Sequence, residues 1–311
     1  MQKEVSVIRQ YLWGIFYGVL LTAFTLYVLL DTFVIARVYQ TVPASDAAVD
    51  ENQNESPSSD ESSAENQAVI TQTSYKDSDI AITITEHREN GTTIYVADVQ
   101  LSSAEYLKTA LANGIYGRNV TEKTSEIAGK NHAILAINGD YYGTREKGYV
   151  LRNGVLYRNT ASNGQEDLVI YQDGSFEIVA ETSISAEQLL ANGTEQILSF
   201  GPALVIDGQV SVTESEEVGK AKTSNPRTAI GIVEQGHYLF VVSDGRTDES
   251  VGLSLHDLAE FMQSIGAKIA YNLDGGGSST MVFNGEIINN PTTNGRNIRE
   301  RSVSDIVYIG Y

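Results

Sequence analysis

Residues 10–30 read QYLWGIFYGVLLTAFTLYVLL and contain no charged side chain. About 20 consecutive apolar residues suffice to carry a helix across a bilayer. The run is too long, too evenly apolar and too close to the N-terminus to be the core helix of a soluble domain. Tyr11, Trp13 and Tyr17 cluster at one end, where an interfacial aromatic belt belongs. A cleaved signal peptide is the competing reading, but its apolar region is shorter, and VPASDA at 42–47 imitates a cleavage site only weakly. Lys3 and Arg9 precede the run and Arg37 follows it, which favours an inside N-terminus.

The next segment, PASDAAVDENQNESPSSDESSAENQA (43–68), has acids, Ser, Asn and Ala but no Lys or Arg. Such a composition lacks the apolar surface needed to fold. The sequence therefore predicts a membrane anchor over 1–37 (helix about 10–35), a disordered acidic tether over 38–74 and a folded domain over 75–311. The chain reads as a single-pass membrane protein with its N-terminus inside and its working domain extracellular.

Within 75–311 the apolar pattern alternates as in strands. DIAITITEH and TTIYVADVQL flank RENG; GYVLRNGVLYR, DLVIYQDGSFEIV and PALVIDGQV carry hairpin turns at Asn153-Gly154, Asp173-Gly174 and Asp207-Gly208. TAIGIVEQGHYLFVVSDGR is a longer pair turning near Gly236. SLHDLAEFMQSIG is the clearest helix: Ser254 caps it, Asp257 completes a capping box and Gly266 follows its end. SAEYLKTALANG reads as a short helix ending at Gly114. The fold class expected is α+β, one strand-rich domain with few helices.

Composition removes several functions. A formal charge of −19 disfavours nucleic acid as a partner. With no cysteine, thiol nucleophiles and thiolate metal sites are excluded. The loop NLDGGGSST (272–280) has no lysine after its glycines, so it is not a phosphate-binding P-loop. The residues after the loop read as a strand, not the helix of a dinucleotide site. GGGSSTM also lacks the last glycine of a serine-hydrolase elbow. The four histidines form no triad or zinc signature.

There remains a set of acids and arginines where apolar strands meet polar loops: Asp140 in AINGDYYG, Arg227 in NPRTAIG, Asp244 and Arg246 in VVSDGR, Asp274 in NLDGGGSST, Glu300 and Arg301 in IRERSV. Rigid scaffolds present chemistry at such strand ends.

In this order, AINGDYY, FGPALVIDG, NPRTAIG, SDGR and NLDGGGSSTM resemble the phosphodiester glycosidase family, over roughly residues 90–311. The resemblance implies hydrolysis of a sugar-1-phosphodiester at the anomeric carbon. It also implies a setting in cell-envelope or exopolysaccharide metabolism, since bacterial relatives carry that label. Asp274 and the loop Gly275, Gly276, Gly277, Ser278, Ser279 and Thr280 match the family signature most closely. Asn138 and Asp140 fall in its asparagine-glycine segment, and Asn272 leads into the loop.

A phosphomonoester leaves readily, so positive charge on the departing phosphate matters more than a general acid. Arg227, Arg246 and Arg301 are the candidates, because a guanidinium can bind two phosphate oxygens. The N–H groups of Gly275–Gly277 are offered as an anion nest, with the glycines letting backbone approach substrate. Asp274 is the first choice for the carboxylate that stabilises the anomeric centre or aims water, followed by Asp140, Asp244 and Glu300. No cofactor is required; Asp140, Asp244 and Asp274 are hard oxygen ligands compatible with calcium or magnesium. The partners expected are a phosphate-linked glycan or a small sugar-1-phosphodiester, and the membrane. The alternatives are a non-catalytic binding or assembly factor for such glycans and a glycosyl transferase to a polymer acceptor.

Overall fold

The computed structural model describes residues 2–41 (side chains from Tyr11 on), 68–213 and 224–311. The apolar run lies within one helix, α1 (Gln2–Phe33). Its Tyr11–Phe33 stretch is long and apolar enough to cross a membrane or to act as a signal sequence, and the protein buries none of it. The acidic stretch 42–67, expected to be a disordered tether, lies outside the described residues. The edges of that expected tether carry strands: β1 (Arg37–Thr41), β2 (Val69–Ile70) and part of β3 (Ser74–Lys76). Composition marks where a core is absent, and it is blind to short strands that add to a larger sheet.

The chain continues with β4 (Ile80–Glu89), β5 (Thr92–Leu101), β6 (Leu107–Leu111), β7 (Ile115–Arg118), α2 (Thr124–Lys130) and β8 (Leu135–Asn138). Next come β9 (Val150–Arg152), β10 (Val155–Arg158), β11 (Glu166–Tyr171), β12 (Phe176–Ala180), α3 (Ala186–Ala191) and β13 (Thr194–Leu198). After these lie β14 (Ala203–Ile206), β15 (Gln209–Val210), β16 (Arg227–Glu234), β17 (His237–Ser243) and α4 (Leu255–Ser264). The last strands are β18 (Ile269–Asn272), β19 (Met281–Phe283), β20 (Glu286–Ile287) and β21 (Asp305–Ile309). The fold is the strand-rich α+β domain that the sequence predicts.

One large sheet runs β15-β14-β18-β16-β17-β5-β4-β3-β2; a second runs β20-β19-β8-β21-β6, and a third β10-β9-β13-β11-β12. Neighbouring strands pair antiparallel, as hairpin connections require. At Asn90-Gly91, Asn153-Gly154 and Asp207-Gly208 both central residues have positive φ, the twist-matched turn that Asn-Gly and Asp-Gly favour.

The three sheets share one core, in which Ile80, Ile82, Leu135, Leu168, Phe240 and Val307 meet. Each sheet is covered on another face by its own helix. Leu258, Phe261 and Met262 of α4 pack on Leu239 and Val241 of the large sheet. Ile127 of α2 lies against Ala136, Val282 and Ile306, and Leu189 of α3 against Val169 and Ile197. Ser254 caps α4 within the expected capping box.

The segment SAEYLKTALANG departs from expectation. It forms a strand, β6, between two single 3-10 turns. Leu107, Thr109 and Leu111 alternate inward, and β6 pairs with β21 along its whole length. Leu107, Ala110 and Leu111 satisfy a helical spacing equally well, and the open edge of β21 decides for the strand.

Candidate active site

Strand register gathers the predicted residues at one end of the molecule. Arg227 at the start of β16 faces Ser243 at the end of β17, and Ala229 faces Asn272 at the end of β18. In the second sheet Ile306 faces Asn138, so the start of β21 meets the end of β8. The two sheets are joined there by Asn138. Its side-chain oxygen accepts from Thr228 Oγ1 (2.8 Å) and Thr280 N (3.2 Å), and its amide donates to Asp274 O (2.6 Å) and Gly139 O (3.3 Å). All its polar groups are spent on the protein, so it acts as a latch under the glycine loop.

Asp274 is mostly buried, its side chain 12% exposed, against 41% for Arg301 beside it. Asp274 Oδ2 accepts from Arg301 Nη2 (3.0 Å) and from Ser278 Oγ (2.6 Å). Arg301 reaches the same hydroxyl through Nε (2.9 Å) and Nη2 (2.6 Å). Burial raises the Asp274 pKa, and the Arg301 charge and Ser278 hydrogen bond oppose that rise.

Arg246 stands over Gly276, where a Cβ would lie 2.8 Å from its Nη2. Its guanidinium donates to Asn225 Oδ1 (3.1 and 3.0 Å) and Thr293 O (2.6 Å), all neutral oxygens. Burial lowers its pKa, and the charge of Arg301 lowers it further, so the two guanidiniums feel one another across the loop. Arg246 also holds a left-handed backbone, φ 65°. Such strain in a non-glycine residue tends to collect at functional sites.

The glycines have a different explanation from the one expected. Gly276 has φ 63° and lies under Arg246; a Cβ on Gly275 would sit 3.0 Å from Pro226 O, and one on Gly277 would collide with Thr293. The loop approaches its own protein. Some of its N–H groups are engaged within the protein: Gly276 N donates to Pro226 O (2.8 Å), Ser278 N to Gly275 O (3.3 Å) and Ser279 N to Gly276 O (3.2 Å). Of the three N–H groups expected to form an anion nest, that of Gly276 is thus taken up within the protein. Ser279 and Thr280 are fully buried, their hydroxyls without a hydrogen-bond partner among the described residues.

The other predicted residues divide. Arg227 is buried, with Nε donating to Leu253 O (2.9 Å) and its stem beside Gly275. Asn272 donates to Gly201 O (2.8 Å). Asp244 accepts from Asn289 Nδ2 (3.1 Å), Asn290 N (2.8 Å) and Asn290 Nδ2 (3.1 Å); Asn289 also holds Ser279 O (3.0 Å), so Asp244 braces the loop from behind. Glu300 turns away, accepting the backbone N–H and the hydroxyl of Ser125 at the start of α2.

Asp140 is buried against Arg152, with Oδ2 2.8 Å from Nη2 and also accepting Ser199 N (2.9 Å). The same guanidinium holds Asp305 Oδ2 at 2.6 Å. Burial lowers the Arg152 pKa, and the two carboxylate charges more than reverse this. Burial raises Asp305, which Arg152 opposes and the Asp140 charge reinforces. Gly139 leaves no room for a side chain because Asp305 fills that position. This buried triad lies directly beneath Asp274, whose N–H donates to Gly139 O (3.2 Å). Arg152 and Asp305 went unseen in the sequence; their one signal is a charge set inside an apolar strand, VLR and SDIVYI. The three aspartates offered as metal ligands each face a different partner, and they do not converge. Among the described residues no three His, Asp or Glu side chains are placed to share a metal ion.

A concavity of about 850 Å³, lined by Lys108, Tyr171, Gln196 and Tyr308 among others, runs along β6 and holds none of the predicted residues. The chemistry argues for the loop cluster instead, where acid, guanidinium and strained backbone converge.

Residues 131–310 match the phosphodiester glycosidase family, and the chain belongs to that family. The SPbeta prophage-derived uncharacterized protein YomE of Bacillus subtilis strain 168 is 29% identical over 203 residues, 63% of this chain and 31% of that protein. Mouse N-acetylglucosamine-1-phosphodiester alpha-N-acetylglucosaminidase is 29% identical over 192 residues, 56% of this chain and 36% of that protein. The chain thus spans about a third of the length of these curated relatives. In fold it resembles the catalytic domain of the zebrafish N-acetylglucosamine-1-phosphodiester alpha-N-acetylglucosaminidase, auto-inhibited by its pro-peptide. That match has TM-score 0.59 at 22% identity and covers 75% of this chain and 83% of that one. A hypothetical protein from Synechocystis matches with TM-score 0.55 at 15% identity, over 75% of this chain and 62% of the other.

Proposed function

We propose that this chain is a membrane-anchored extracellular hydrolase that cleaves sugar-1-phosphodiesters at the anomeric carbon, in cell-envelope or exopolysaccharide metabolism. The observation that carries the reading is the pairing of Asp274 with Arg301 and Ser278, next to an Arg246 that among the described residues bonds only neutral oxygens. In the reaction the bond from the anomeric carbon to the phosphate oxygen breaks, and its electron pair leaves with the phosphate. Water supplies the oxygen that replaces it, and the products are free sugar and a phosphomonoester.

Asp274, ionised, stabilises the positive anomeric carbon or takes a proton from the attacking water. Arg246 and Arg301 neutralise charge on the departing phosphate, where a fixed guanidinium acts without reorganising. They also give an acidic protein a local cationic mouth for an anionic substrate. Asp140, Arg152 and Asp305 hold the floor under Asp274, and Asp244 holds the loop. The working domain runs over about 75–311, with the edge of its sheet at Val69. Incubating the full chain in membranes with a panel of sugar-1-phosphodiesters tests this. Free sugar and phosphomonoester are expected in equal amounts. Binding without turnover would point to an assembly factor, and transfer to an added glycan in place of water would point to a transferase.

A further inference from the structure

The end of α1 is fastened to the folded body. Three residues separate Phe33 from β1, at most about 14 Å of chain. Thr32 O accepts from Arg118 Nη2 (3.4 Å) and Asn119 Nδ2 (3.2 Å), and Ile35 O accepts from Asn119 Nδ2 (3.2 Å). β1 then pairs antiparallel with β7, from Arg37 opposite Arg118 to Thr41 opposite Ile115. Gly117 has no space for a side chain because the Arg37 carbonyl lies over it. The Tyr39 ring sits 5.8 Å from Tyr116, which stacks on Tyr142 at 5.4 Å. Asn119 N donates to Gly143 O (3.0 Å), tying β7 to the turn after Asp140.

The attachment exposes apolar side chains on either side of Arg37, which is ion-paired with Asp31. Val34, Ile35, Val38 and Tyr39 are 65%, 44%, 56% and 59% exposed, in direct continuation of the apolar helix. Exposed apolar side chains of this kind are costly in water and at home at the headgroup level, where tyrosine in particular is enriched and an arginine can snorkel.

We propose that β1 is a juxtamembrane docking strand whose partner is the lipid headgroup layer. It holds β7, and the Asp140 loop behind it, against the bilayer, so that the site meets phosphodiesters carried at the membrane surface. The acidic segment is then an insertion between β1 and β2, both of which belong to the folded body, and it is not a leash between membrane and domain. The proposal rests on α1 staying in the membrane as a span.

The chain has no native cysteine, so paired substitutions give unambiguous cross-links. Directly opposed antiparallel residues bring their Cα atoms within disulfide reach. In the full chain in isolated membranes, Thr41→Cys with Ile115→Cys should cross-link under mild oxidation at least tenfold faster than Thr41→Cys with Asn163→Cys, a position in the exposed loop before β11. Equal rates overturn docking. In vesicles with a headgroup-attached quencher, a fluorophore on Val38→Cys should be quenched several-fold more than one on Asn163→Cys, and equal quenching overturns the lipid contact. A mature chain that has lost residues 1–41 overturns the proposal as well, and leaves the hydrolase reading to its own assay. Rapid cross-linking and strong quenching without hydrolysis would sustain docking and count against the hydrolase reading alone.

Discussion

Arg301 and Asp274 share the Ser278 hydroxyl: it donates to the carboxylate at 2.6 Å and accepts from the guanidinium at 2.6 and 2.9 Å. The closed triangle fixes the angle between a buried acid and a half-exposed cation, the two groups the proposed reaction uses at opposite ends of the breaking bond.

Asp274→Asn keeps the shape and removes the charge. Turnover of a sugar-1-phosphodiester should fall at least about 100-fold, the scale of a lost proton-transfer or charge-stabilising group. The circular dichroism spectrum should stay the same. Turnover within a few-fold of wild type would remove Asp274 from the chemistry.

Because burial raises the Asp274 pKa, its ionised form appears at higher pH than for a free aspartate, near 3.9. The rate should therefore drop as pH falls through a value above that of a free aspartate. A kcat/KM profile flat down to pH 4 would contradict this.

Arg246→Lys retains the charge but loses the planar fork. A loss of about tenfold or more in kcat/KM is expected, with thermal stability little changed, because two-pronged phosphate contacts do not transfer to an ammonium. Phosphate inhibition should weaken in parallel.

Gly276→Ala should destabilise the protein by about 1–2 kcal/mol, since it combines a positive φ with a Cβ 2.8 Å from Arg246. Denaturant unfolding measures it. Loss of phosphate affinity should accompany it as Arg246 moves.

Asp167 lies buried in β11, and burial, with the Glu181 charge second, pushes its pKa to about 9. The folded protein keeps a proton there that the unfolded chain releases near pH 4, so the folded state binds more protons between those values. Stability should then decline as pH rises from about 4 towards 9 and level off above. Asp167→Asn should flatten that decline and raise the melting temperature at pH 8. An unchanged slope would show that the acid is not titrating in this window.

The hairpins were legible because Asn-Gly and Asp-Gly pairs have a local conformational cause. Ser254, Asp257 and Gly266 announced α4 for a similar reason. Asp274 stood out beside a rare glycine run, and Arg246 and Arg301 as charged residues where apolar strands meet polar loops. Arg152 and Asp305 escaped because nothing local says which way a charged strand residue turns; only the packing of β9 against β21 brings them together. Glu300 misled because a polar loop beside the site can hold an acid whose partner, Ser125, is 175 positions away. β6 misled because a five-residue run fits two periodicities.

Pro226, Arg246 and Thr293 occupy the space where side chains on Gly275, Gly276 and Gly277 would be. A relative that had lost the aspartate would still be destabilised by side chains at these three positions. The DGGG string is thus a mark of ancestry more than a certificate of activity. Under the proposed reaction, sorting working enzymes from retired ones calls for reading the aspartate and the two arginines around it.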